Sequence, residues 1–351
     1  MGSRRLRPKF LKLRLVLLLR RRSVSEVHVD EKIGTGGLIA QFRSHLKGYG
    51  IIWITLALFL LLTVTTGPFF SEANLRNILD QQATLLIAAS LATVAMIAGG
   101  FDLSISAVFV AAPLLALQVE NATGSILLAV VVGVLAGLSV GVLNGVVVAV
   151  LKVNSFIGTL ATSFMVFGAG YLISNRRILQ PESENFRNIA RSRWLSLTTA
   201  TWIAFGVVLA TWFLLSRTRF GRHVYATGGN PEAARLAGVR VTGVTIAVFA
   251  LTGAAAGLAG VVSASRSLSA MPSDDFSFLF GVLSAVVVGG TSIAGGEGGV
   301  WRTVFGAFFI AFMINGFNLH QVDPIWQRVI QGAVILAAVS IDAWARRRPA
   351  G

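Results

Sequence analysis

The run ILLAVVVGVLAGLSVGVLNGVVVAVL, residues 126–151, keeps 26 residues free of charged side chains. A helix needs roughly 20 predominantly apolar residues to cross the hydrocarbon core of a bilayer, whereas apolar runs of about 10–14 residues are more typical of buried core helices. Residues 126–151 therefore predict a transmembrane helix.

Similar runs recur along the chain, which has 351 residues, 54% of them hydrophobic, and a mean hydropathy of +0.74. We predict an all-α polytopic membrane protein with about ten transmembrane helices, some of them short or broken. The predicted spans are residues 50–67, 82–99, 104–119, 126–151, 155–174, 199–216, 243–264, 277–290, 300–319 and 325–345.

Glycines line one face of the fourth predicted span. Gly133, Gly137, Gly141 and Gly145 recur at every fourth position, which places them on the same side of a helix. Small residues in this arrangement let a neighbouring backbone approach closely. We expect them to mediate packing within the chain rather than contact between two copies.

The distribution of Lys and Arg predicts the orientation of the spans. With both termini cytoplasmic, the inner segments carry 22 of the 30 basic residues and the outer segments carry 8. Such an excess on the cytoplasmic side is typical of multi-pass membrane proteins. The exception is the outer segment 175–198, which contains five arginines. We interpret the net charge of +15 as a topological signal and expect no nucleic-acid partner.

The charged segments divide the chain. Residues 1–48 form a basic tail whose apolar stretch FLKLRLVLLL contains Lys12 and Arg14 and is too short to span. We predict a retained cytoplasmic tail in contact with anionic membrane lipid; a cleaved signal peptide is the alternative. Residues 49–345 are then the transmembrane domain, with a cytoplasmic loop at 217–242, and residues 346–351 are a second cytoplasmic tail.

Two pairs of glycines interrupt the membrane segments. The second span runs into the third through AGGFDLSIS, residues 98–106, and the eighth ends in VVVGGTSIAGGEGGV, residues 286–300. Short or glycine-interrupted spans indicate a transporter site near the bilayer midplane. The residues that we predict to form a translocation pathway are Gly99, Gly100, Asp102, Ser104, Asn144, Asn154, Ser155, Thr159, Thr291 and Ser292.

The chemistry of these pathway residues indicates a neutral polar solute. Asp102 either caps the third span or contacts the solute, and the hydroxyl and amide groups either line the pathway or join helices. A proton-coupled pump would need more titratable groups at depth. The four histidines are scattered and cysteine is absent, so we predict no metal site, no cofactor in this chain and no enzyme activity.

A short polar helix is specified by GGNPEAARLAG, residues 228–238. Asn230 is a favoured N-cap, Pro231 suits the first helical position, Glu232 lies near the positive end of the helix dipole, and Gly238 suits the position after the C-cap. These signals predict a helix over 231–237. A helix of that length is marginal in water, so we expect a partner protein to hold it; a position on lipid headgroups is the alternative.

Three motifs in order resemble the ribose-type permeases of ABC sugar importers. GGFDLSISAVF is similar to their signature between the second and third spans, GGNPEAARLAGVRV to their cytoplasmic coupling loop, and GGTSIAGGEGGVWRTVFGAFFIAFMINGFNL to their late glycine-rich motif. The resemblance extends from about residue 50 to the end of the chain. Family members often have IDLSVG where this chain has FDLSIS, so Ser106 replaces a glycine, and they often have another residue at Glu297.

The resemblance implies the ABC importer permease fold and a set of partners. These are a separate ATPase subunit that carries ATP and magnesium, an extracytoplasmic sugar-binding protein, and a second permease copy or paralogue. The residues that the resemblance assigns to ATPase coupling are Gly228, Gly229, Asn230, Glu232, Ala233, Arg235 and Gly238. The sequence contains no G-x-x-x-x-G-K-[ST] motif, so this chain has no P-loop for ATP.

The predicted function is therefore that of a monosaccharide importer permease in the cytoplasmic membrane, working by alternating access. The nearest alternative keeps this mechanism and changes the cargo to a nucleoside or a branched-chain amino acid. A membrane-embedded enzyme would need a catalytic cluster, and a channel or secondary carrier would move solute without any ATPase.

Overall fold

This computed structural model describes residues 35–347, with side chains described for residues 50–337 and for Ser340. Residues 1–34 and 348–351, which include most of the two predicted tails, lie outside the described part. The chain divides between Gly48 and Tyr49, and the site described below belongs to Tyr49–Gly351.

Helices make up almost all of the regular structure, which confirms the all-α prediction. Their bounds are α1 Thr35–Thr65, α2 Glu72–Ile97, α3 Ile105–Thr123, α4 Ile126–Ala149, α5 Ser155–Ile173, α6 Asn188–Arg191, α7 Thr199–Arg217, α8 Arg219–Gly229, α9 Pro231–Leu236, α10 Val241–Ser267, α11 Ser277–Val288, α12 Val300–Leu319 and α13 Pro324–Arg347. A 3-10 turn covers Glu184–Arg187, and strands β1 Arg193–Trp194 and β2 Leu197–Thr198 pair as an antiparallel hairpin.

Each of the ten predicted spans is helical. Seven of the described helices, namely α2, α3, α4, α5, α7, α10 and α12, are long and apolar enough to cross a membrane. Gly50–Thr65 and Ser277–Val288 are apolar but shorter, so their crossing, like that of α13, stays a prediction. Two helices begin earlier than the predicted spans, α1 at Thr35 rather than residue 50 and α2 at Glu72 rather than residue 82. Ser71 caps the first turn of α2.

The helix α2 forms the centre of the bundle. All residues from Leu86 to Ile97 are buried, so this half of the helix is surrounded by protein on every side. In contrast, α4 and α7 leave large apolar side chains exposed, among them Leu127 at 75% and Phe213 at 57%. These outer faces suit contact with lipid.

The glycine face of α4 packs against α10. A Cβ atom at Gly137 or Gly141 would overlap the backbone of Gly253 or Phe249, respectively, and one at Gly145 would lie 2.6 Å from the Ile246 Cα atom. The contact is therefore backbone against backbone, as the four-residue spacing indicates. The expectation of packing within the chain is confirmed.

The helix α3 continues through Pro113 without a break over its 19 residues. Proline has no amide hydrogen, so the Phe109 carbonyl lacks its helical donor. Gly260 of α10 lies against that carbonyl and against the Pro113 ring, and a side chain there would overlap both. The interruption lies instead in residues 98–104, ahead of α3.

Candidate functional site: a junction of glycine-rich segments

The short helix α9 forms as the sequence predicts, ending one residue earlier, at Leu236. The Asn230 side chain accepts hydrogen bonds from the backbone of Glu232 at 3.1 Å and Ala233 at 3.0 Å. Gly238 adopts a positive φ of 85°, which a residue with a side chain rarely adopts. Its amide, and that of the following residue, bond back to the last turn. Local capping therefore fixes both ends of α9.

The helix α8 precedes α9 and was not predicted. Thr218 caps it by accepting a bond from the Gly221 amide at 3.2 Å, and Gly221 permits close contact with the end of α7. Tyr225 donates a hydrogen bond to the Gly298 carbonyl at 3.0 Å. Burial raises the pKa of Tyr225, against a smaller lowering by the charge of Arg302, so its hydroxyl stays protonated as a donor.

Three glycine-rich segments meet at the C-terminal end of α8, and we call residues 97–99, 228–229 and 295–296 the glycine junction. The Gly296 amide donates to the Ile97 carbonyl at 2.8 Å, and Gly228 lies against both groups with no room for a Cβ atom. Gly99 and Gly295 adopt φ values of +81° and +86°. A Cβ atom on Gly295 would lie 3.0 Å from the Gly99 Cα atom.

The glycine junction brings together residues that the sequence assigns to two separate sites. Gly228 and Gly229 are predicted coupling residues, whereas Gly99 is a predicted pathway residue. Their contact gives α8 and α9 a direct backbone connection to the segments that precede α3 and α12.

The segment 98–104 is held by polar groups from α4 and α5. Asp102, only 3% exposed, accepts bonds through Oδ1 from the Ser104 amide at 2.9 Å and hydroxyl at 2.6 Å. Asn144 donates to the Ser104 hydroxyl at 2.8 Å. Ser155 and Thr159 accept bonds from backbone amides of this segment at 3.2 and 3.0 Å.

These contacts describe a scaffold around a broken membrane segment. The Asp102 Oδ2 and Asn144 Oδ1 atoms are buried without a hydrogen-bond partner among the described residues. The observed partners of Asp102 are protein groups, namely Ser104 in the turn ahead of α3 and the side-chain amide of Asn144 in α4, which donates to Oδ1 at 3.4 Å, while Ser104, at the N-cap position, makes no side-chain cap bond. A contact between Asp102 and solute stays a prediction.

The remaining predicted pathway residues occupy two places. Thr291 and Ser292 are buried in the loop between α11 and α12, where the Ser292 amide donates to the Glu297 carbonyl at 2.9 Å. Asn154 is exposed and caps α5 through bonds from the amides of Phe156 and Ile157. Gly100 packs against the Phe249 ring. Thus Asn154 is separate from the buried groups.

A cavity of about 450 Å³ opens beside the glycine junction. Its walls include Gly99, Gly100, Thr227, Lys152 and Arg235, together with the start of α10. The Lys152 ammonium donates to the Ala149 carbonyl at the end of α4. Among the described residues, no group of three or more His, Asp or Glu could hold a metal ion.

Glu120 is a buried carboxylate that was not among the predicted site residues. It is 1% exposed, and its two carboxylate oxygens accept bonds from the backbone amides of Glu182 at 3.1 Å and Ser183 at 3.0 Å. It thereby fixes the segment 175–198 to the C-terminal end of α3. Only its position near the end of a predicted span could have indicated such a contact.

A protein-family profile described as branched-chain amino acid transport system, permease component, matches residues 74–339. The chain belongs to this permease family. The L-arabinose transport system permease protein AraH of Escherichia coli K12 is 34% identical over 300 residues, covering 85% of this chain and 91% of AraH. The ribose import permease protein RbsC of the same organism is 34% identical over 294 residues, covering 82% and 92%.

A third relative, the fructose import permease protein FrcC of Rhizobium meliloti, is 33% identical over 310 residues and covers 85% of each chain. No solved structure matches this chain. The predicted ABC permease family is confirmed. The chain is a multi-pass inner-membrane permease subunit rather than an enzyme, and ATP hydrolysis belongs to a separate subunit.

Proposed function

We propose that this permease moves a monosaccharide into the cell, driven by an ATPase subunit that acts on α9. The observation that carries the proposal is the glycine junction, because it connects a short exposed helix to both interrupted membrane segments. The printed names of three relatives are those of arabinose, ribose and fructose permeases, which favours a sugar over a branched-chain amino acid or a nucleoside.

The surface of α9 suits a protein partner. Glu232 and Arg235 are exposed, and Leu236 is 91% exposed, whereas Ala234 faces the interior. A partner that covers these side chains would stabilise a six-residue helix that is marginal by itself. Its movement would be passed through Asn230 and α8 to the glycine junction.

The charge distribution supports the proposed orientation, in which both termini are cytoplasmic. With α9 on the cytoplasmic side, the segments 98–104, 150–154 and 289–299 share that side, and α13 ends there. ATP and magnesium would bind on the ATPase subunit, since this chain has no P-loop motif. A sugar-binding protein and a second permease copy would complete the importer.

The cargo is tested by reconstituting the permease with its ATPase and binding protein in proteoliposomes. We expect ATP-dependent uptake of labelled monosaccharide and little uptake of leucine or adenosine. Accumulation of leucine or adenosine in preference to every pentose and hexose would contradict the sugar assignment. Sugar flux without any ATPase would contradict the coupling mechanism.

The coupling role is tested by replacing Glu232 and Arg235 together with alanine. We expect the double variant to insert into the membrane at normal levels and to lose ATP-dependent uptake. Ala129, buried in the first turn of α4, offers no exposed surface to an ATPase, so an Ala129→Gly control should retain uptake. Normal uptake by a stably assembled double variant would contradict the proposal.

A further inference from the structure

The cavity beside the glycine junction is lined by two cations. Lys152 lies in the loop between α4 and α5, and Arg235 lies in α9. The described residues that line the cavity include no carboxylate, and neither cation forms an ion pair with a residue in the described part of the chain. The wall therefore carries two positive charges that no side chain of the wall balances.

Both cations keep hydrogen-bond donors for a ligand. The Lys152 ammonium uses one of its three hydrogens to donate to the Ala149 carbonyl at 2.6 Å. The Arg235 guanidinium, which has five N–H donors, bonds to no residue in the described part of the chain. Lys152 also adopts a φ of +60°, which residues with a long side chain rarely adopt, and such conformations are concentrated at functional sites.

The first turn of α10 adds neutral donors to the same wall. Val241 and Thr242 line the cavity, and the N-cap residue Arg240 makes no side-chain cap bond. The amides of Thr242 and Gly243 have no hydrogen-bond partner among the described residues. Unpaired amides at the positive end of a long helix attract anions.

Thr227 places a buried hydroxyl in the wall of this cavity. The residue is 4% exposed, and its hydroxyl oxygen has no hydrogen-bond partner among the described residues. Leaving a buried hydroxyl unpaired is unfavourable, and a polar group of a bound ligand would remove that cost. Thr227 therefore points to a polar ligand independently of the charges.

The chemistry of the wall suits a phosphate ester. Phosphate oxygens accept hydrogen bonds from ammonium and guanidinium groups and from helix N-termini, and an arginine can bind two of these oxygens at once. The apolar side chains of Val148, Val248 and Phe249 complete the wall and suit the carbon skeleton of an ester. The cavity volume of about 450 Å³ lies within the range of about 300–1,000 Å³ that is typical of small-molecule sites.

We propose that this cavity binds a phosphate monoester from the cytoplasm, with its phosphate group held by Lys152 and Arg235. Lys152 follows α4, Arg235 belongs to α9 and Thr242 begins α10, so the ester would join three elements and hold α9 against the glycine junction. The position of α9 would then respond to the cytoplasmic concentration of the ester. The inference goes beyond the proposed function, because the ester is not the transported solute, and it takes from that function only the orientation of α9.

Binding is tested on the full-length permease without ATPase, in nanodiscs of phosphatidylcholine, with ribose 5-phosphate as the probe and ribose as its control. We expect ribose 5-phosphate to raise the unfolding temperature, and ribose at the same concentration to leave it unchanged. Lys152→Gln should weaken the binding at least about tenfold, since a hydrogen bond to a charged group is lost, whereas Lys152→Arg should retain it. Arg222→Gln, which replaces an exposed cation of α8 outside the cavity, is the matched control and should bind as the wild type does.

Two results of this experiment would overturn the proposal. The first is an unfolding temperature of the wild-type permease that ribose 5-phosphate does not change. The second is an equal affinity for ribose 5-phosphate in the wild type and in Lys152→Gln.

Two further arms identify the source of the phosphate group. In nanodiscs that also contain phosphatidylglycerol, we expect the affinity for ribose 5-phosphate to change little, and inorganic phosphate should bind more weakly than the ester. Stabilisation by phosphatidylglycerol that requires Lys152 and blocks ribose 5-phosphate would overturn the soluble ester and assign the cavity to a lipid headgroup. Equal or tighter binding of inorganic phosphate would overturn the assignment of an ester.

The position of the ester is tested by hydrogen exchange. At a ribose 5-phosphate concentration of about ten times Kd, we expect the amides of residues 231–238 to exchange about tenfold more slowly, because the bound state is favoured by about that factor. Residues 193–198 of the hairpin should be unaffected, and Lys152→Gln at the same concentration should show little slowing. Unchanged exchange at residues 231–238 in a permease that binds the ester would overturn its contact with α9. These measurements involve neither an ATPase nor transport, so their failure would leave the sugar-import proposal unaffected.

Discussion

Replacing Gly228 with alanine tests whether α8 must contact the glycine junction. The added methyl group would overlap the Ile97 carbonyl oxygen and lie 2.7 Å from the Gly296 nitrogen, the two atoms that share a hydrogen bond. Overpacking costs about 1–3 kcal/mol, and since both neighbours are backbone atoms we expect the upper end of that range. About 3 kcal/mol corresponds to a decrease of roughly 100-fold in the population of the conformation in which Gly228 contacts Ile97 and Gly296.

Gly229 provides the control for this variant, because a Cβ atom there meets nothing within 4 Å. We expect Gly229→Ala to transport normally. At an equal amount of permease, ATP-dependent uptake by Gly228→Ala should be at least about tenfold lower, because the conformation with an intact glycine junction is less populated. Both variants are compared by labelled-sugar uptake in proteoliposomes and by thermal unfolding in detergent. Equal uptake by the two variants would show that the close approach at Gly228 has no functional consequence, which would contradict a role for the glycine junction in transport.

Three further substitutions test the contacts around the site. Asn230→Ala removes the cap of α9 and should cost about 1 kcal/mol of helix stability, seen as reduced coupling of ATP hydrolysis to uptake, whereas Asn230→Asp should restore it; equal coupling in both would contradict the capping role. Asp102→Ala should lower the free energy of unfolding by about 1–3 kcal/mol and Asp102→Asn by less, since the amide keeps an acceptor. Equal losses in both variants would contradict the role of Asp102 as the acceptor that holds Ser104. Gly141→Ala should lower the unfolding temperature in detergent through its clash with α10, whereas Gly168→Ala, with open space around it, should not.

Local signals predicted α9 and the membrane helices well. The ends of α9 depend on residues within the helix or next to it, so Asn230, Pro231 and Gly238 identify them without any knowledge of the rest of the fold. The spans are similarly determined by their own composition over about 20 residues. Both kinds of prediction concern interactions between near neighbours in the sequence.

The helix α8 was missed because its stability comes from distant contacts. Its sequence, RFGRHVYATGG, contains three glycines and reads as a polar loop, yet its buried face packs against α2, α7 and α10. Glycines lower helix propensity, and tertiary packing overrides that preference here. The same limit applies to the glycine junction: each glycine indicates a close approach, but the partner lies up to about two hundred residues away.

The polar pathway residues show a further limit of sequence reasoning. Asn144 and Thr159 have the composition of a hydrated lining, and the structure buries both completely around the segment 98–104. Polar groups that join helices and polar groups that face a pathway have the same chemistry, so only their exposure separates them.

In the proposed mechanism, an ATPase subunit acts on α9. The most direct test of this contact places a photo-crosslinker on Leu236→Cys in the naturally cysteine-free chain of the assembled importer, with Leu195→Cys as the control on the hairpin. We expect a cross-link from position 236 to the ATPase subunit whose yield changes with ATP, and none from position 195. An assembled, transporting complex in which position 236 never cross-links to the ATPase would contradict it.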